Sequence, residues 1–159
     1  SYLAWELRPT VLDQFGLVET LRVFVQEWSK QNEIVADFQA VNVKHGTFSK
    51  DAETHLYRIT QEALNNISKH ADAKNVSVQL ARHNGSLALI IDDDGHGFNN
   101  GGVIRPDSMH GLGLRGMRER AELIGAEIEI QSDTDSGTSV FVRIPYDGSG
   151  PDNSGDDSH

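Results

Sequence analysis

Two glycine-rich loops lie close together in this chain, Asp93-Asp94-Gly95-His96-Gly97 and Gly111-Leu112-Gly113-Leu114-Arg115-Gly116. Upstream of them a helical stretch carries Glu62, Asn66, Lys69 and His70. Asp93 follows an apolar strand, so its carboxylate sits at the mouth of a sheet, where it can accept a hydrogen bond from the exocyclic amine of adenine. Guanine has no amine at that position, and an unpaired buried carboxylate is costly against the wrong base. Gly95 and Gly97 let the backbone turn and come close to a ligand. Gly111, Leu112, Gly113 and Leu114 open a helix whose free N–H groups favour an anion. A base reader, an anion cradle and a polar helix edge together point to ATP with Mg²⁺.

The helix sets which side chains can take part. Leu56, Ile59, Ala63, Leu64 and Ile67 make one apolar face, and Glu62, Asn66 and His70 follow at i, i+4 and i+8 along its edge, with Lys69 at i+7. Asn65 points about 100° away from Asn66, towards solvent beside Gln61 and Ser68. The amide oxygen of Asn66 suits Mg²⁺, which takes a few protein oxygens and fills its shell with phosphates and water. Lys69 adds positive charge near a polyphosphate. Taken alone this edge also reads as a solvated helix face; its company with the two loops gives it chemistry.

Each loop has a rival reading. Asp-Gly pairs are frequent in plain acidic turns. Gly111 to Gly116 matches the dinucleotide fingerprint G-x-G-x-x-G in letters, but a long polar loop precedes it and an antiparallel hairpin follows its helix, so the required βαβ unit is missing. A flexible turn with close helix packing is the simpler alternative for these glycines. The phosphate loop G-x-x-x-x-G-K-[ST] does not occur. Thr138, at the start of the last strand, either supports the adenine site, directly or through water, or is a strand residue with no ligand role.

The elements that must hold these groups are readable in turn. Leu7 to Leu12 contains a proline break at Pro9, after which Leu17, Leu21, Phe24, Val25 and Trp28 recur at helical spacing. Ile34 to Val43 predicts a strand, and Ser49 caps a long helix to about His70 with Glu53 among its first residues. Val76, Val78 and Leu80 alternate with polar residues, Asn84-Gly85 signals a hairpin, and Leu87 to Ile91 is apolar enough for a central strand. Residues 94–110 read as a mobile loop, and a helix follows from Gly111 to Ile124, stopped by Gly125. A hairpin turning at Asp135-Ser136-Gly137 ends the fold. The expected class is α+β: a mixed, mostly antiparallel sheet with helices packed on one face.

Composition narrows the partners. A net charge of -10 over 159 residues argues against nonspecific nucleic-acid binding, which needs Lys and Arg to displace counterions. No apolar run approaches a membrane span, and no secretory signal opens the chain. Zero cysteines exclude disulfides and cysteine-ligated zinc, and the seven histidines lack metal-ligand spacing. Residues 147–159, rich in Asp, Gly, Ser and Asn, are expected to be disordered.

At this point the residues resemble a known pattern. Glu62-Ala63-Leu64-Asn65-Asn66 with Lys69-His70 resembles the N box of the GHKL ATPase superfamily, Asp93-x-Gly95-x-Gly97 its first glycine box and Gly111-Leu112-Gly113-Leu114 its second. The run GLGLRGMRERA from Gly111 to Ala121 is similar to sensor histidine kinases of the nitrate-sensor and membrane-fluidity-sensor subfamily. Glu6 to Leu17, ELRPTVLDQFGL, resembles the segment that joins their dimerisation helices to the catalytic domain. The likeness covers nearly all of residues 6–145.

The resemblance implies a Bergerat-type α/β sandwich that binds Mg-ATP under a lid at about residues 98–112. By position, Asn66 would bind Mg²⁺, Asp93 would bond adenine N6, and Lys69 and His70 would face the phosphates. Glu62 stands where hydrolytic relatives keep a general base; in a kinase it would polarise the attacking imidazole. Residues 1–16 would be a linker from a dimerisation domain, 17–146 the ATP-binding catalytic domain and 147–159 a tail. No acceptor-histidine motif is present, so the phosphoryl group would go to a histidine on a separate dimerisation domain and then to a response regulator. The parent protein would be a homodimer, and this domain would be cytoplasmic without touching a membrane, even if the parent is anchored in one. A serine kinase like the anti-sigma factors, and a non-catalytic nucleotide-binding signalling module, are the alternatives. A gyrase-like, Hsp90-like or mismatch-repair ATPase fits less well, because the chain stops where their transducer domains begin.

Overall fold

The computed structural model describes residues 8–44, 46–97, 100–103 and 113–145, apart from the side chains of residues 83 and 100–103. Six strands form one sheet in the order β1-β2-β3-β6-β5-β4. Their ranges are β1 Val35–Val41, β2 Asn75–His83, β3 Ser86–Asp93, β4 Asn100–Val103, β5 Glu127–Asp133 and β6 Gly137–Pro145. β1 and β2 run parallel and every other neighbouring pair is antiparallel. Among the described residues three α-helices, α1 Thr10–Asn32, α2 Lys50–Asn66 and α3 Leu114–Leu123, accompany it.

Alternation decides which face of the sheet is covered. Val76, Val78 and Leu80 on β2, Leu87, Leu89 and Ile91 on β3, and Val140 and Val142 on β6 are buried, whereas Val35, Gln39, Phe141 and Arg143 on the opposite face are exposed. Onto the buried face pack Leu21 and Val25 of α1, Leu56, Ile59 and Leu64 of α2, and Met117 and Ala121 of α3. This is the expected mixed, mostly antiparallel sheet with its helices on one side.

Local chemistry explains most boundaries. The Ser49 hydroxyl accepts the Ala52 N–H at 3.1 Å and caps α2, whose first turn carries Asp51 and Glu53. Asn84 and Gly85 both have positive φ, 48° and 75°, the signature of a tight hairpin turn between β2 and β3. α1 follows Pro9 and kinks at Gly16, with φ 76° and ψ 174°. Arg8 ties the approach to α1 onto the start of α2. Its guanidinium donates to Asp13 at 2.6 Å, to Glu53 and the Lys50 carbonyl at 2.7 Å, and to Thr54 at 3.0 Å.

Three features differ from the sequence expectation. The long helix expected to reach His70 is α-helical only to Asn66 and continues as a π-turn over Ile67–Ala71, ended by Asp72 in the left-handed region. The stretch expected as a loop over 94–110 contains β4, which pairs with the edge of β5 through Asn100–Asp133 and Val103–Gln131. The helix expected from Gly111 begins at Leu114. Gly111, Leu112, most of the expected lid over 98–112, residues 1–7 of the expected linker and the 147–159 tail lie outside the described residues.

Candidate functional site

The cleft forms where α2 and its π-turn, α3 and the ends of β3, β5 and β6 meet. Its floor is apolar, with Ile91, Ile130, Val140 and Met117, and its polar groups are Asn66, His70, Asp93, His96 and Thr138. Such a mixture suits a flat heteroaromatic ligand whose edge is read by a few hydrogen-bonding groups.

Asp93 is the only buried acid on the cleft wall among the described residues, at 8% exposure. Burial pushes its carboxyl above the usual carboxylate range, with N–H bonds from Gly95 and Thr138 working the other way and the neighbouring Asp94 and Asp92 charges reinforcing the rise. The Gly95 N–H reaches Oδ1 at 2.9 Å. A carboxylate has about four acceptor positions, so two N–H bonds leave room for an amine from the cleft. Its neighbour Asp94 is a different kind of group. Hydrogen bonds from the Asn75 side chain and from the Asn75 and Lys74 backbones hold it down at about 2, and fasten the start of β2 to the loop after β3. Two adjacent aspartates thus divide between ligand cleft and scaffold.

The loop is seated on the π-turn. The His96 N–H donates to the Ala71 carbonyl at 2.5 Å, and a Cβ on Gly95 would stand 2.2 Å from that same oxygen. Gly97 in turn donates to the Asp133 carbonyl at 3.1 Å. The contact at Gly95 is backbone against backbone, so nothing flexible can yield. Gly95→Ala is expected to cost about 2–3 kcal/mol, the upper part of the overpacking range. That lowers the Tm by on the order of 5–10 °C for a domain of this size, measurable by thermal unfolding; an unchanged Tm would mean the loop is not seated as described.

Sequence-predicted residues divide into three groups. Asn66, His70, Asp93, Leu114 and Thr138 line the one cleft, while Asn65 is exposed outside it. Glu62, Gly95, Gly97 and Gly113 stand behind or beside its wall. Gly113 has φ 69°, and a Cβ there would lie 2.4 Å from Glu62 Oε2, so the half-buried Glu62 packs directly under the start of α3. Lys69 is exposed and does not line the cleft. Gly111 and Leu112 are among the residues outside the description.

Sequence reasoning passed over His96, read only as a spacer between two glycines, although its neighbours carried the signal. It also passed over Met117 and Ile130, apolar residues of α3 and β5 that floor the cleft. His96 additionally lies 3.9 Å from the Asp72 carboxylate.

A divalent cation fits this wall in one way. No group of three or more His, Cys, Asp and Glu side chains converges among the described residues, and an ion held beside Asn66 would take most of its ligands from phosphates and water. Mg²⁺ binds in that manner, and the Asn66 amide oxygen is a suitable protein ligand.

The sequence profile of the histidine kinase-, DNA gyrase B- and HSP90-like ATPases matches residues 51–148. The chain is 31% identical over 144 residues to the signal transduction histidine-protein kinase/phosphatase DegS of Brevibacillus brevis, covering 90% of this chain and 36% of that protein. It is 35% identical over 143 residues to the oxygen sensor histidine kinase NreB of Staphylococcus carnosus, covering 90% and 40%. The chain therefore spans well under half the length of these relatives. Among solved structures, the ATP binding domain of PrrB from Mycobacterium tuberculosis superposes with a TM-score of 0.63 at 18% identity, over 82% of this chain and 93% of that one. The histidine kinase domain of a blue-light activated kinase from Erythrobacter litoralis gives 0.62 at 23%, over 81% and 60%; these two show the fold. With the profile matched across more than half its length, the chain belongs to the histidine kinase-, DNA gyrase B- and HSP90-like ATPase family.

Proposed function

We propose that this chain is the catalytic, ATP-binding domain of a two-component sensor histidine kinase, and that it transfers the γ-phosphoryl group of Mg-ATP to a histidine on a separate dimerisation domain. The observation that carries the reading is the meeting of Asp93 from β3 and Asn66 from α2 on one cleft, at the start of α3. The names of DegS and NreB support the kinase assignment.

In this reading Asp93 accepts the adenine N6 amine, Thr138 supports the neighbouring base edge, and Ile91 and Met117 cover the ring faces. The first N–H groups of α3, which have no partner within the helix, take phosphate oxygens, His70 offers them a ring N–H, and Lys69 adds positive charge from outside the cleft. Asn66 would hold the Mg²⁺, which supplies charge neutralisation on the phosphates. An imidazole nitrogen of the acceptor attacks the γ-phosphorus as the bond to the β-phosphate oxygen breaks and ADP leaves. Glu62 polarises that imidazole by taking up its N–H proton. Positioning and electrostatics carry most of such a transfer.

The partners follow from this chemistry: a dimerisation and phosphoacceptor domain, a response regulator that receives the group next, and a homodimeric, cytoplasmically facing parent. Among the described residues no helix is long and apolar enough to cross a membrane. The test is incubation with γ-labelled ATP and either a histidine-bearing helix pair or a serine-bearing partner. The expected product is an acid-labile, alkali-stable phosphate on the histidine partner alone. Label on serine would support an anti-sigma-like kinase, and ATP binding without transfer to either would support a non-catalytic module.

A further inference from the structure

Among the described residues β1 ends the sheet, with β2 on one side and no strand on the other. Proteins commonly guard such an edge with Lys, Pro or a bulge. β1 has none of these: Val35-Ala36-Asp37-Phe38-Gln39-Ala40-Val41 keeps an unbroken register with β2, and Asp37 is its one charge. Glu33 and Asn42, both in the left-handed region with φ 54° and 57°, flank the strand.

The backbone fixes what this edge offers. The Val35 N–H donates to the Lys74 carbonyl, just before β2. In a parallel ladder both polar groups of one residue point the same way, and the side alternates along the strand. The groups of Val35, Asp37, Gln39 and Val41 therefore face β2, and those of Ala36, Phe38 and Ala40 face outward. Phe38 itself is buried, with the Arg22 guanidinium 5.3 Å from its ring centre. Val35 and Val41, on the opposite face, are 68% and 40% exposed.

The strand reads almost the same in both directions about Phe38. An antiparallel second copy centred there sets Val35 opposite Val41, Ala36 opposite Ala40, Asp37 opposite Gln39 and Phe38 opposite Phe38. The three residues with outward groups then fall at the hydrogen-bonded pairs, and the exposed valines at the pairs whose side chains approach most closely. Asp37 meets a neutral amide. A slip of one residue sets outward groups against groups already bonded to β2, and slips of two put Asp37 opposite either Asp37 or Val41. We infer that β1 is a twofold interface, along which a second copy of this chain pairs antiparallel about Phe38 and joins two sheets into one. A partner of another sequence would not call for this symmetry. Seven residues a side is well short of the roughly 20–30 of a standard interface, so the pair is weak, with a Kd on the order of 100 μM. Each copy carries a net charge of -10, so added salt should tighten the pair by screening that repulsion.

Sedimentation equilibrium of the whole chain, from about 10 μM to about 1 mM, tests this. The mass is expected to rise from that of one chain towards that of two. Val35→Lys combined with Val41→Lys sets like charges opposite at both ends of the ladder and should weaken pairing about tenfold or more, although it lowers the net charge. Val35→Lys combined with Val41→Glu sets opposite charges there and should restore pairing. The chain has no cysteine, so oxidising a Val35→Cys, Val41→Cys double variant should link two chains, since opposed positions lie within disulfide reach. Either single variant, with its thiols at opposite ends of the ladder, should link far less. The cleft uses β3, β5 and β6, so ATP affinity should stay within about twofold in every variant. A mass that stays at one chain throughout would overturn the proposal. So would a dimer left intact by the two lysines, or single cysteine variants that link as readily as the double.

Discussion

Asp93→Asn is expected to weaken ATP binding about 100-fold, roughly 2.7 kcal/mol, while leaving the unliganded protein as stable as the wild type. The two halves of that expectation come from one observation. The Asp93 carboxyl is buried, and burial raises its pKa above the usual range. A carboxyl whose folded pKa is raised opposes folding at every pH above its unfolded value, and this cost vanishes below that value. Near neutral pH the fold therefore carries a desolvated charge that an amide removes. The amide oxygen can still accept the N–H groups of Gly95 and Thr138, so the loop keeps its internal bonds. The ligand side behaves oppositely: an amide NH₂ facing an adenine amine sets donor against donor, and the bond to a charged acceptor is lost. Calorimetric titration with ATP and a thermal melt without ligand check the two halves together. Unchanged affinity would remove Asp93 from the base site, and a large drop in the ligand-free Tm would make it a structural residue.

That division between ligand and scaffold shows what the sequence could and could not convey. Patterns with short periods translated well into elements. Alternation in Val76, Val78 and Leu80 gave a strand with one buried face, and Asn84-Gly85 gave the turn, because side-chain placement repeats locally. The same local geometry separates Asn66 on the cleft from Asn65 in solvent. What stayed illegible depends on distant partners. The π-turn over Ile67–Ala71 presents the Ala71 carbonyl to His96, a residue about 25 positions further along the chain. β4 has no apolar alternation of its own, being Asn-Gly-Gly-Val, and pairs with β5 through its backbone. The Ser132–Thr138 bond joins Thr138, which the sequence singled out, to Ser132, which it did not. Arg8 reaches Glu53 across 45 positions, again something no local window contains. Elements were thus legible from within; the contacts that aim their side chains belong to pairs of segments.

Asn66→Ala should lower phosphoryl transfer by on the order of 100-fold, the scale of a misplaced reacting group, with little change in nucleotide affinity when Mg²⁺ is withheld. Asn66 stands at the last α-helical position of α2, where the helix passes into the π-turn, and its half-buried side chain faces the cleft that Asp93 also lines. Base recognition is assigned to the β3 side of the cleft, so removing an amide from the α2 side leaves it intact. The wild type is expected to bind ATP more tightly as Mg²⁺ is raised. Alanine at position 66 should flatten that dependence, because an ion deprived of its protein oxygen no longer links nucleotide to helix. Asn66→Asp separates charge from geometry: it keeps an oxygen at the same place, so it should recover part of the metal dependence even if transfer stays low. Titrations with ATP at fixed low and high Mg²⁺, run beside the labelled transfer assay, read both quantities. Should Asn66→Ala retain the full Mg²⁺ dependence, the ion is held elsewhere, and the α2 edge contributes only the wall of the cleft.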